Sequence, residues 1–571
     1  MQHQTERPDS DRATGTGNPS GSSTLVADSR TVAGWNLVSR ITGFGRVAIM
    51  GAVFGPTYFG NIFQTSALLP SMIFALLGGS LVGAILVPPL VHWLDARDEA
   101  AFRRLANGFL GTTMLVLAVV AGLCLLLSPL LLTFATAAVD DPAVRTRQRE
   151  IGVVLLAMLL PQILLYGVAA VGMAVQHAHG RFAVAAAAQV LENVSGIAVL
   201  LIAALVFGTG TALEQVTLPH LLLLGCGTTA AVGMNAILQW WGARMAGHSL
   251  VPRAGWRDVE IRRLMWIAFT SSGYTALYNL VTFAALVVAG RIPGGVIAAQ
   301  IGLNFSFLPI ALSAVPLASA QLPRLSRSFN AGDTAAFAAT FRESIALTRF
   351  ITLPAAFLLL AMSDPLAQAV AFGDLAGPAG VAMIAACIAG LGPGVVGEAL
   401  ISVSTSASYA RRNGLAPLRA MALRAVVALL GMAIALGTME GIGILFALGL
   451  SFSAGNLAAA AYIFRSVMPA MPAASGGHCR RPLGERVVGE LMVSAVPIAL
   501  GAALAFWWQN EAGSHAQKIG VAVATIAVSG ALYLGMQWMR RSHELTLFSE
   551  IIGIRLPGRM GGGPRCQSAG E

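Results

Sequence analysis

Two arginines, Arg40 and Arg46, interrupt the first long apolar stretch of this 571-residue chain. An arginine near the centre of a bilayer costs at least ~2.5–3.5 kcal/mol, so such residues usually face a water-filled path. Their guanidinium groups suit phosphate or pyrophosphate oxygens. The two are about 120° apart around an ideal helix, but Gly43 and Gly45 can bend or unwind it. We therefore expect one anion site; alternatively, Arg40 reaches the aqueous interface and only Arg46 is buried.

Two carboxylates, Glu192 and Glu398, also lie in apolar surroundings. A buried carboxylate can bind a proton or a sodium ion, or it can neutralise a buried arginine. Both residues are therefore candidates for ion coupling or for charge pairing. Arg349 and Arg424 lie near predicted helix ends, where reaching to the interface is the simpler interpretation. His220 stands alone near the start of a span, which favours a structural role.

The sequence shows no set of residues that suggests catalysis. Gly392, Gly394 and Gly397 match the GxGxxG pattern, but they lie inside an apolar stretch with no strand before it. Pro393, between these glycines, predicts a kink instead, as Pro70 does earlier in the chain. The five cysteines are unpatterned and indicate neither disulfides nor a metal site. We expect a protein that is not an enzyme and that needs no cofactor or metal.

The elements that would position these residues are membrane-spanning helices. The chain is 56% hydrophobic and 11% charged, against roughly 25% charged in an average soluble domain. A hydrocarbon core about 30 Å thick requires about 20 apolar residues of helix. We predict about fourteen transmembrane helices, at 31–54, 59–93, 105–127, 152–176, 182–207, 217–241, 264–290, 294–320, 345–363, 379–406, 418–438, 441–464, 488–508 and 517–538.

Positive charge alternates along the loops between these spans. Arginines concentrate in the loops after the even-numbered spans, whereas the loops after the odd-numbered spans hold few. Cytoplasmic loops carry the excess of basic residues in membrane proteins, so we expect both termini to be cytoplasmic. Topology therefore explains the net charge of +10, and we expect no nucleic-acid partner.

The longer loops divide the spans into groups of six, six and two. We expect five segments: a disordered tail at 1–30, an N-lobe at 31–245, a C-lobe at 246–466, a linker with the last two spans at 467–538, and a cytoplasmic tail at 539–571. Two halves of like topology suggest a pseudo-symmetric transporter with its site between them. In the last tail, HELTLFSEIIGIRL has the spacing of a helix that lies on a membrane surface or binds a partner, although a solvated tail fits equally well.

Five motifs occur in the order and spacing of a known family. They are SRITGFGRVAIMGAVFG at 39–55, LLP followed by GGS and ILVPPL at 68–90, Arg181-Phe182 followed by Asn193, QLPRLSRSF at 321–329, and YARRNGLAPLR at 409–419. From about 31 to 538 the chain resembles the MviN/MurJ family of lipid II flippases, within the multidrug/oligosaccharidyl-lipid/polysaccharide exporter superfamily. The resemblance implies two six-helix lobes around a central cavity, two further helices that form a lipid-tail groove, and pyrophosphate binding by Arg40 and Arg46.

The chain departs from the family at most of the other charged cavity positions. In ungapped register, Asn61 replaces an acidic residue early in span 2, and Phe74 replaces the first of two arginines later in that span. In span 8, Asn304 replaces an arginine and Phe307 replaces an acid. We expect these four residues to line the cavity of a divergent member, whose binding of an anionic headgroup depends on the span 1 arginines.

These features favour a flippase that moves a polyprenyl-pyrophosphate-linked peptidoglycan precursor, lipid II or a related lipid-linked sugar, across the bacterial cytoplasmic membrane by alternating access. The resemblance implies that membrane potential or an H⁺ or Na⁺ gradient drives transport. The expected partners are the lipid-linked oligosaccharide and membrane lipids. Two alternatives stay open: an exporter of another amphiphile or drug, because Phe74 and Phe307 make the cavity more apolar, and an inactive flippase-like scaffold that binds cell-wall synthesis proteins.

Overall fold

The structure is a computed structural model that describes residues 20–79, 82–467, 483–509 and 514–552. All regular secondary structure in these ranges is helical. The first part of the chain contains α1 Ser20–Phe54, α2 Tyr58–Leu76, α3 Val82–Asp95, α4 Glu99–Leu126, α5 Ser128–Ala135, α6 Pro142–Leu159, α7 Gln162–Ala178, α8 Ala183–Phe207 and α9 Leu218–Met245. The middle part contains α10 Val259–Ser271, α11 Gly273–Ala289, α12 Gly295–Leu312, α13 Ala314–Asn330, α14 Thr334–Ala361, α15 Ser363–Val370, α16 Pro378–Leu391, α17 Gly394–Ala410, α18 Leu415–Thr438 and α19 Gly443–Val467. The last part contains α20 Leu483–Gln509, α21 His515–Met539 and α22 His543–Ile552.

Most of these helices have the length and composition of membrane spans. Among the described residues, eleven helical stretches are long and apolar enough to cross a bilayer, and two bent pairs raise the number to as many as thirteen. The bent pairs are α10 with α11 and α16 with α17, each bent by 45°. The predicted fold class, an all-α polytopic membrane protein, is confirmed, whereas the predicted count of fourteen spans is not.

Proline and glycine determine where two long spans break. Pro393 lies between α16 and α17 and has no N–H to continue the helix, so the predicted kink is confirmed. Ser453 of α19 bridges this break, because its Oγ accepts a hydrogen bond from the N–H of Gly394 at 2.9 Å. The second predicted span is divided into α2 and α3, but the break lies beside Gly78, with φ +81°, and not at Pro70, which α2 accommodates.

Two helix bundles repeat one packing arrangement. In the N-lobe, which we define as α1–α9, helix α8 packs on α1 and α9, and α9 packs on α7. In the C-lobe, defined as α11–α19, helix α18 packs on α11 and α19, and α19 packs on α17. In each half, these helices correspond to the predicted spans one (α1 and α11), four (α7 and α17), five (α8 and α18) and six (α9 and α19). The two lobes are therefore pseudo-symmetric, as the spacing of the spans indicated.

Helix α10 packs on the N-lobe, although the C-lobe was predicted to begin at residue 246. Arg104 of α4 forms ion pairs with Asp258 and Glu260 at 3.5 Å each. Ile261 of α10 packs against Gly108 of α4. A Cβ added to Gly108 would lie 2.6 Å from Cδ1 of Ile261. The bend between α10 and α11 therefore carries the chain from one lobe to the other.

The two lobes meet where α1 ends and α2 begins, which we call the closed end. Asn61 of α2 donates a hydrogen bond to the carbonyl of Ile292 at 2.7 Å and accepts one from the N–H of Val296 at 3.1 Å. Nearby, Arg291 of the C-lobe forms an ion pair with Asp140 of the N-lobe at 2.9 Å. Polar contacts from both lobes thus hold this end together.

The C-terminal helices pack against α14. The carbonyl of Phe350 loses its helical partner because Pro354 has no N–H, and Tyr533 of α21 donates a hydrogen bond to it at 2.8 Å. An apolar cavity of about 240 Å³ lies beside this contact, between α14, α20 and α21. Phe548 of α22 packs against Phe350, with ring centroids 5.5 Å apart, so the segment predicted to bind a membrane surface or a partner packs on the protein itself. Residues 553–556 of that segment lie outside the described ranges.

Candidate functional site

The N-lobe contains a cavity of about 750 Å³ between α1, α2, α7, α8 and α9, with Gln300 of α12 contributed by the C-lobe. Ligand pockets commonly have volumes of ~300–1,000 Å³. The cavity reaches the exposed Gln189 near the start of α8. Many hydrogen-bonding side chains line it: Ser39, Arg46, Gln64, Ser71, Gln162, Tyr166, His177, Gln189, Glu192, Asn193, Asn235, Gln239 and Gln300. Because such groups are costly in lipid, this lining indicates a hydrated site for a polar ligand.

Helix α1 directs its two arginines to different surroundings. It runs without interruption through Gly43 and Gly45, so the suggested unwinding is wrong and the angle of about 120° between the arginines is retained. Arg46 lines the cavity and packs against Gly196 of α8. The contact is close, because a Cβ added to Gly196 would lie 3.0 Å from Nε of Arg46. Arg40 is exposed, does not line this cavity, and lies with its guanidinium carbon 4.9 Å from the ring centroid of Phe307. The structure therefore does not bring the two arginines together.

Asn193, the last residue of the Arg-Phe…Asn motif, fixes α1 against α8. Its side-chain Nδ2 donates to the carbonyl of Ser39 and to Oγ1 of Thr42, at 3.2 Å each. Gly43 of α1 lies beside the same amide, since an added Cβ would be 3.4 Å from that nitrogen. This contact sets the rotation of α1 that places Arg46 in the cavity.

Glu192 is the carboxylate of the cavity, and a chain of carboxamides supports it. Oε2 of Glu192 accepts a hydrogen bond from Nδ2 of Asn235 at 2.6 Å. Behind Asn235, Nε2 of Gln239 donates to Oδ1 of Asn235 at 3.5 Å and to a backbone carbonyl of α8 at 2.9 Å, and Oε1 of Gln239 accepts from Gln176 at 2.7 Å. The donors point toward Glu192, so the chain stabilises negative charge there. Arg46 is close enough to interact electrostatically with Glu192 but forms no salt bridge with it.

Most of the polar lining residues were not among the sequence-based candidates, including Gln64 of α2, Tyr166 of α7 and Gln300 of α12. They are isolated polar residues in apolar spans, which is the signal that identified Arg46. Because they carry no charge, hydropathy and charge patterns gave them no weight. Their common position becomes visible only when three helices are packed together.

The four uncharged candidates from the family register divide between two regions. Phe74 lines the cavity and packs beside Tyr166, with ring centroids 5.8 Å apart. Asn61 does not line it, because the loop between α11 and α12 covers that residue at the closed end. Asn304 and Phe307 do not line it either, and Phe307 instead contacts Arg40. The register identified helices near the lobe interface, but it could not show which face meets the cavity.

Glu398 belongs to a buried ion pair in the C-lobe. Its Oε2 lies 2.6 Å from Nη1 of Arg424, whose side chain is 3% exposed. The guanidinium also lies over the rings of Tyr278 and Phe452, at 5.0 and 5.8 Å from their centroids. The prediction that Arg424 reaches the interface is therefore wrong, because α17 supplies a carboxylate partner. Of the two roles suggested for Glu398, the geometry corresponds to charge pairing.

Two other candidates have structural surroundings. Arg349 of α14 is partly exposed and forms an ion pair with Glu490 of α20 at 3.3 Å. His220 is buried and stacks on Phe207, with ring centroids 4.4 Å apart and an interplanar angle of 12°. Its environment fits the structural role that we expected.

Comparisons with known proteins agree with this architecture. The family model described as "Lipid II flippase MurJ" matches residues 50–509. A probable lipid II flippase MurJ of Rhizobium tropici is 25% identical over 407 residues, which cover 71% of this chain and 74% of the relative. The lipid II flippase MurJ of Burkholderia cenocepacia is 21% identical over 531 residues, covering 89% and 96%.

Two solved structures share the fold. A lipid II flippase MurJ in an inward closed conformation superposes with a TM-score of 0.68 at 13% identity, covering 91% of this chain and 99% of the other. An inward-facing MATE family transporter of the MOP superfamily superposes with a TM-score of 0.59 at 14% identity, covering 76% and 94%. At these identities the likeness concerns the fold alone.

Proposed function

This chain belongs to the MurJ family of lipid II flippases, and we propose that it moves a polyprenyl-pyrophosphate-linked peptidoglycan precursor with the headgroup held beside Arg46. The family match extends over both lobes. The chain is therefore a membrane transporter and not an enzyme. Family membership does not favour the drug exporter or the inactive scaffold.

The observation that carries the proposal is the unpaired state of Arg46. Among the described residues, its guanidinium has neither a hydrogen-bond acceptor nor a salt-bridge partner, although it lines a cavity inside the membrane domain. Arg46 is half-buried and faces a hydrated cavity, so its charge is free to bind an anion. Pyrophosphate oxygens would supply charge-assisted hydrogen bonds, each worth ~1.5–3 kcal/mol. An anionic headgroup would thus complete a site that the protein leaves open.

The closed end supports a direction for loading. The positive-inside pattern favours an orientation in which the closed end, with Asn61, faces outward. The cavity end near Gln189 would then face the cytoplasm and admit a precursor from the inner leaflet. Alternating access would require the hydrogen bonds of Asn61 to break as the outer side opens.

Coupling to membrane potential or to an H⁺ or Na⁺ gradient would involve Glu192 and not Glu398. Glu192 lies in the cavity and holds no salt bridge, so a proton or a sodium ion could reach it. The guanidinium of Arg424, 2.6 Å away, already neutralises the carboxylate of Glu398, so a proton or sodium ion would gain little by binding there. We propose Glu192 as the coupling residue on this ground.

A transport assay with two matched arginine variants tests the site. Arg46→Gln and Arg40→Gln remove the same charge from the same helix, and the purified proteins would be reconstituted with a fluorescent lipid II analogue. We expect Arg46→Gln to slow translocation by at least about tenfold, since it removes a charge-assisted contact. Arg40→Gln should retain most of the wild-type rate, because that side chain lies outside the cavity.

Thermal unfolding of each variant controls for damage to the fold. Equal loss in the two variants would mean that both arginines bind the headgroup, as the family resemblance implied. Full activity of Arg46→Gln would remove Arg46 from the proposed site.

A further inference from the structure

Gln64 is a buried carboxamide without a partner. The residue is 4% exposed and its side chain lines the N-lobe cavity, yet it forms no hydrogen bond with any described residue. By contrast, Gln162 in the same cavity donates to Oγ1 of Thr229 at 3.0 Å. The amide of Gln64 faces the open space of the cavity and is not sealed from solvent. Its donors and acceptor are therefore free to bind a ligand that replaces water there.

Two further residues present unused polar groups to this cavity. Tyr166 of α7 and Gln300 of α12 line it, and neither forms a hydrogen bond within the described ranges. Gln300 is the single C-lobe residue among the described lining residues. A ligand that contacts both Gln64 and Gln300 would therefore touch both lobes at once.

The chemistry of this group differs from that of Arg46. Gln64, Tyr166 and Gln300 are neutral, and each can both donate and accept hydrogen bonds. Phosphate oxygens only accept and favour cationic donors, so Arg46 suits them better. The hydroxyl and N-acetyl groups of a sugar each carry both hydrogen-bond donors and acceptors, as the carboxamides of Gln64 and Gln300 do. The ring of Phe74, 5.8 Å from that of Tyr166, adds an apolar surface beside these groups.

We propose that Gln64 and Gln300 form a sugar-recognition subsite that binds the neutral amino sugar of the headgroup while Arg46 binds its pyrophosphate. This subsite rests on the proposed function, because it deepens the specificity of the same cavity. It lets the protein distinguish a glycosylated lipid from the bare polyprenyl pyrophosphate. It also makes the sugar a bridge between the lobes, so that recognition and lobe closure involve the same groups.

Binding measurements with two lipids test the subsite. The probes are a short-chain lipid II and the same polyprenyl pyrophosphate without sugar, added to the purified full chain in detergent. Gln64→Leu and Gln300→Leu should each weaken binding of short-chain lipid II by about fivefold to tenfold, the equivalent of one lost hydrogen bond. Both variants should bind the sugar-free lipid as the wild type does. Arg46→Gln should weaken both lipids.

Gln215→Leu is the matched control, because it makes the same substitution at an exposed position of the N-lobe, in the loop between α8 and α9, that does not line the cavity. It should change neither affinity by more than about twofold. Melting temperatures without lipid should not fall for Gln64→Leu, since the amide of Gln64 has no protein partner to lose.

The results separate the subsite from the proposed function. If Gln64→Leu and Gln300→Leu weaken both lipids equally, or weaken neither, the sugar subsite is wrong and the flippase proposal stands. If the wild type binds neither lipid, the proposed function fails, and the subsite fails with it.

Discussion

Each lobe places an arginine and a glutamate close to each other inside the membrane domain, but the two lobes use these charges in opposite ways. In the C-lobe, Arg424 and Glu398 lie 2.6 Å apart, and the arginine side chain is 3% exposed. In the N-lobe, Arg46 and Glu192 line a common cavity and form no salt bridge. The C-lobe charges neutralise each other, whereas the N-lobe charges remain accessible to a ligand.

The neighbours of each pair explain this difference. Tyr278 and Phe452 surround the guanidinium of Arg424, so a close ion pair is needed to offset the loss of hydration. In the N-lobe, the amide of Asn235 satisfies Glu192 without a cation. Arg46 therefore stays free to bind a ligand because the neutral amide of Asn235, and not the arginine, is the hydrogen-bond partner of Glu192.

The largest effect is expected from breaking the C-lobe pair. Glu398→Gln leaves Arg424 buried without a counter-charge, so the free energy of unfolding should fall by about 3 kcal/mol or more. Thermal unfolding in detergent would measure this loss. Arg46→Gln should change the unfolding temperature little, because Arg46 has no protein partner to lose.

A double variant sharpens this test. Arg424→Met combined with Glu398→Leu replaces the pair by apolar side chains of similar size, and it should restore most of the stability. It should also transport at near the wild-type rate. Loss of transport in this stable double variant would show that the C-lobe pair does more than hold helices together.

The next largest effect concerns the contact between the lobes. Asn61→Ala removes the hydrogen bonds to the backbone at Ile292 and Val296, which costs the closed end ~1–3 kcal/mol. The population should shift toward a state open at that end. Spin labels at the exposed Glu214 and Glu440, in a background without native cysteines, would report the distance between the lobes.

Asn61→Asp is the matched variant, because a carboxylate still accepts from the N–H of Val296 but cannot donate to the carbonyl of Ile292. Its second oxygen would lie against the carbonyl of Ile292 at a 2% exposed position, where the two oxygens repel, so it should shift the label distances at least as far as Asn61→Ala. Unchanged distances in both variants would mean that other contacts hold the closed end.

Much of the fold followed from hydropathy, because apolar stretches of this length have few alternatives to spanning helices. The kink at Pro393 was predictable for a similar reason, since proline removes one hydrogen bond wherever it lies. The candidate site was only partly predictable. Arg46 stood out by its charge. Its separation from Arg40, however, depends on the rotation of α1, which is set by the hydrogen bond from Asn193 to Thr42. These two residues are 151 positions apart in the sequence. The pairing of Arg424 with Glu398 depends on how α17 meets α18.

The smallest effect tests the N-lobe side of the comparison directly. Glu192→Gln removes a negative charge from the cavity but keeps an oxygen that can accept from Asn235. We expect an anionic headgroup to bind about tenfold more tightly, because a carboxylate several Å from the ligand repels it by an amount of this order at an effective dielectric of ~20. Titration with short-chain lipid II at low and high salt would measure the gain.

The same variant should lose the dependence of transport on an imposed H⁺ or Na⁺ gradient, since no titratable or cation-binding carboxylate remains at that position. Tighter binding with coupling retained would separate the two roles and assign coupling to another group. Weaker binding would contradict the comparison itself, because it would mean that Glu192 holds Arg46 in its binding position and that the N-lobe pair, like the C-lobe pair, is structural.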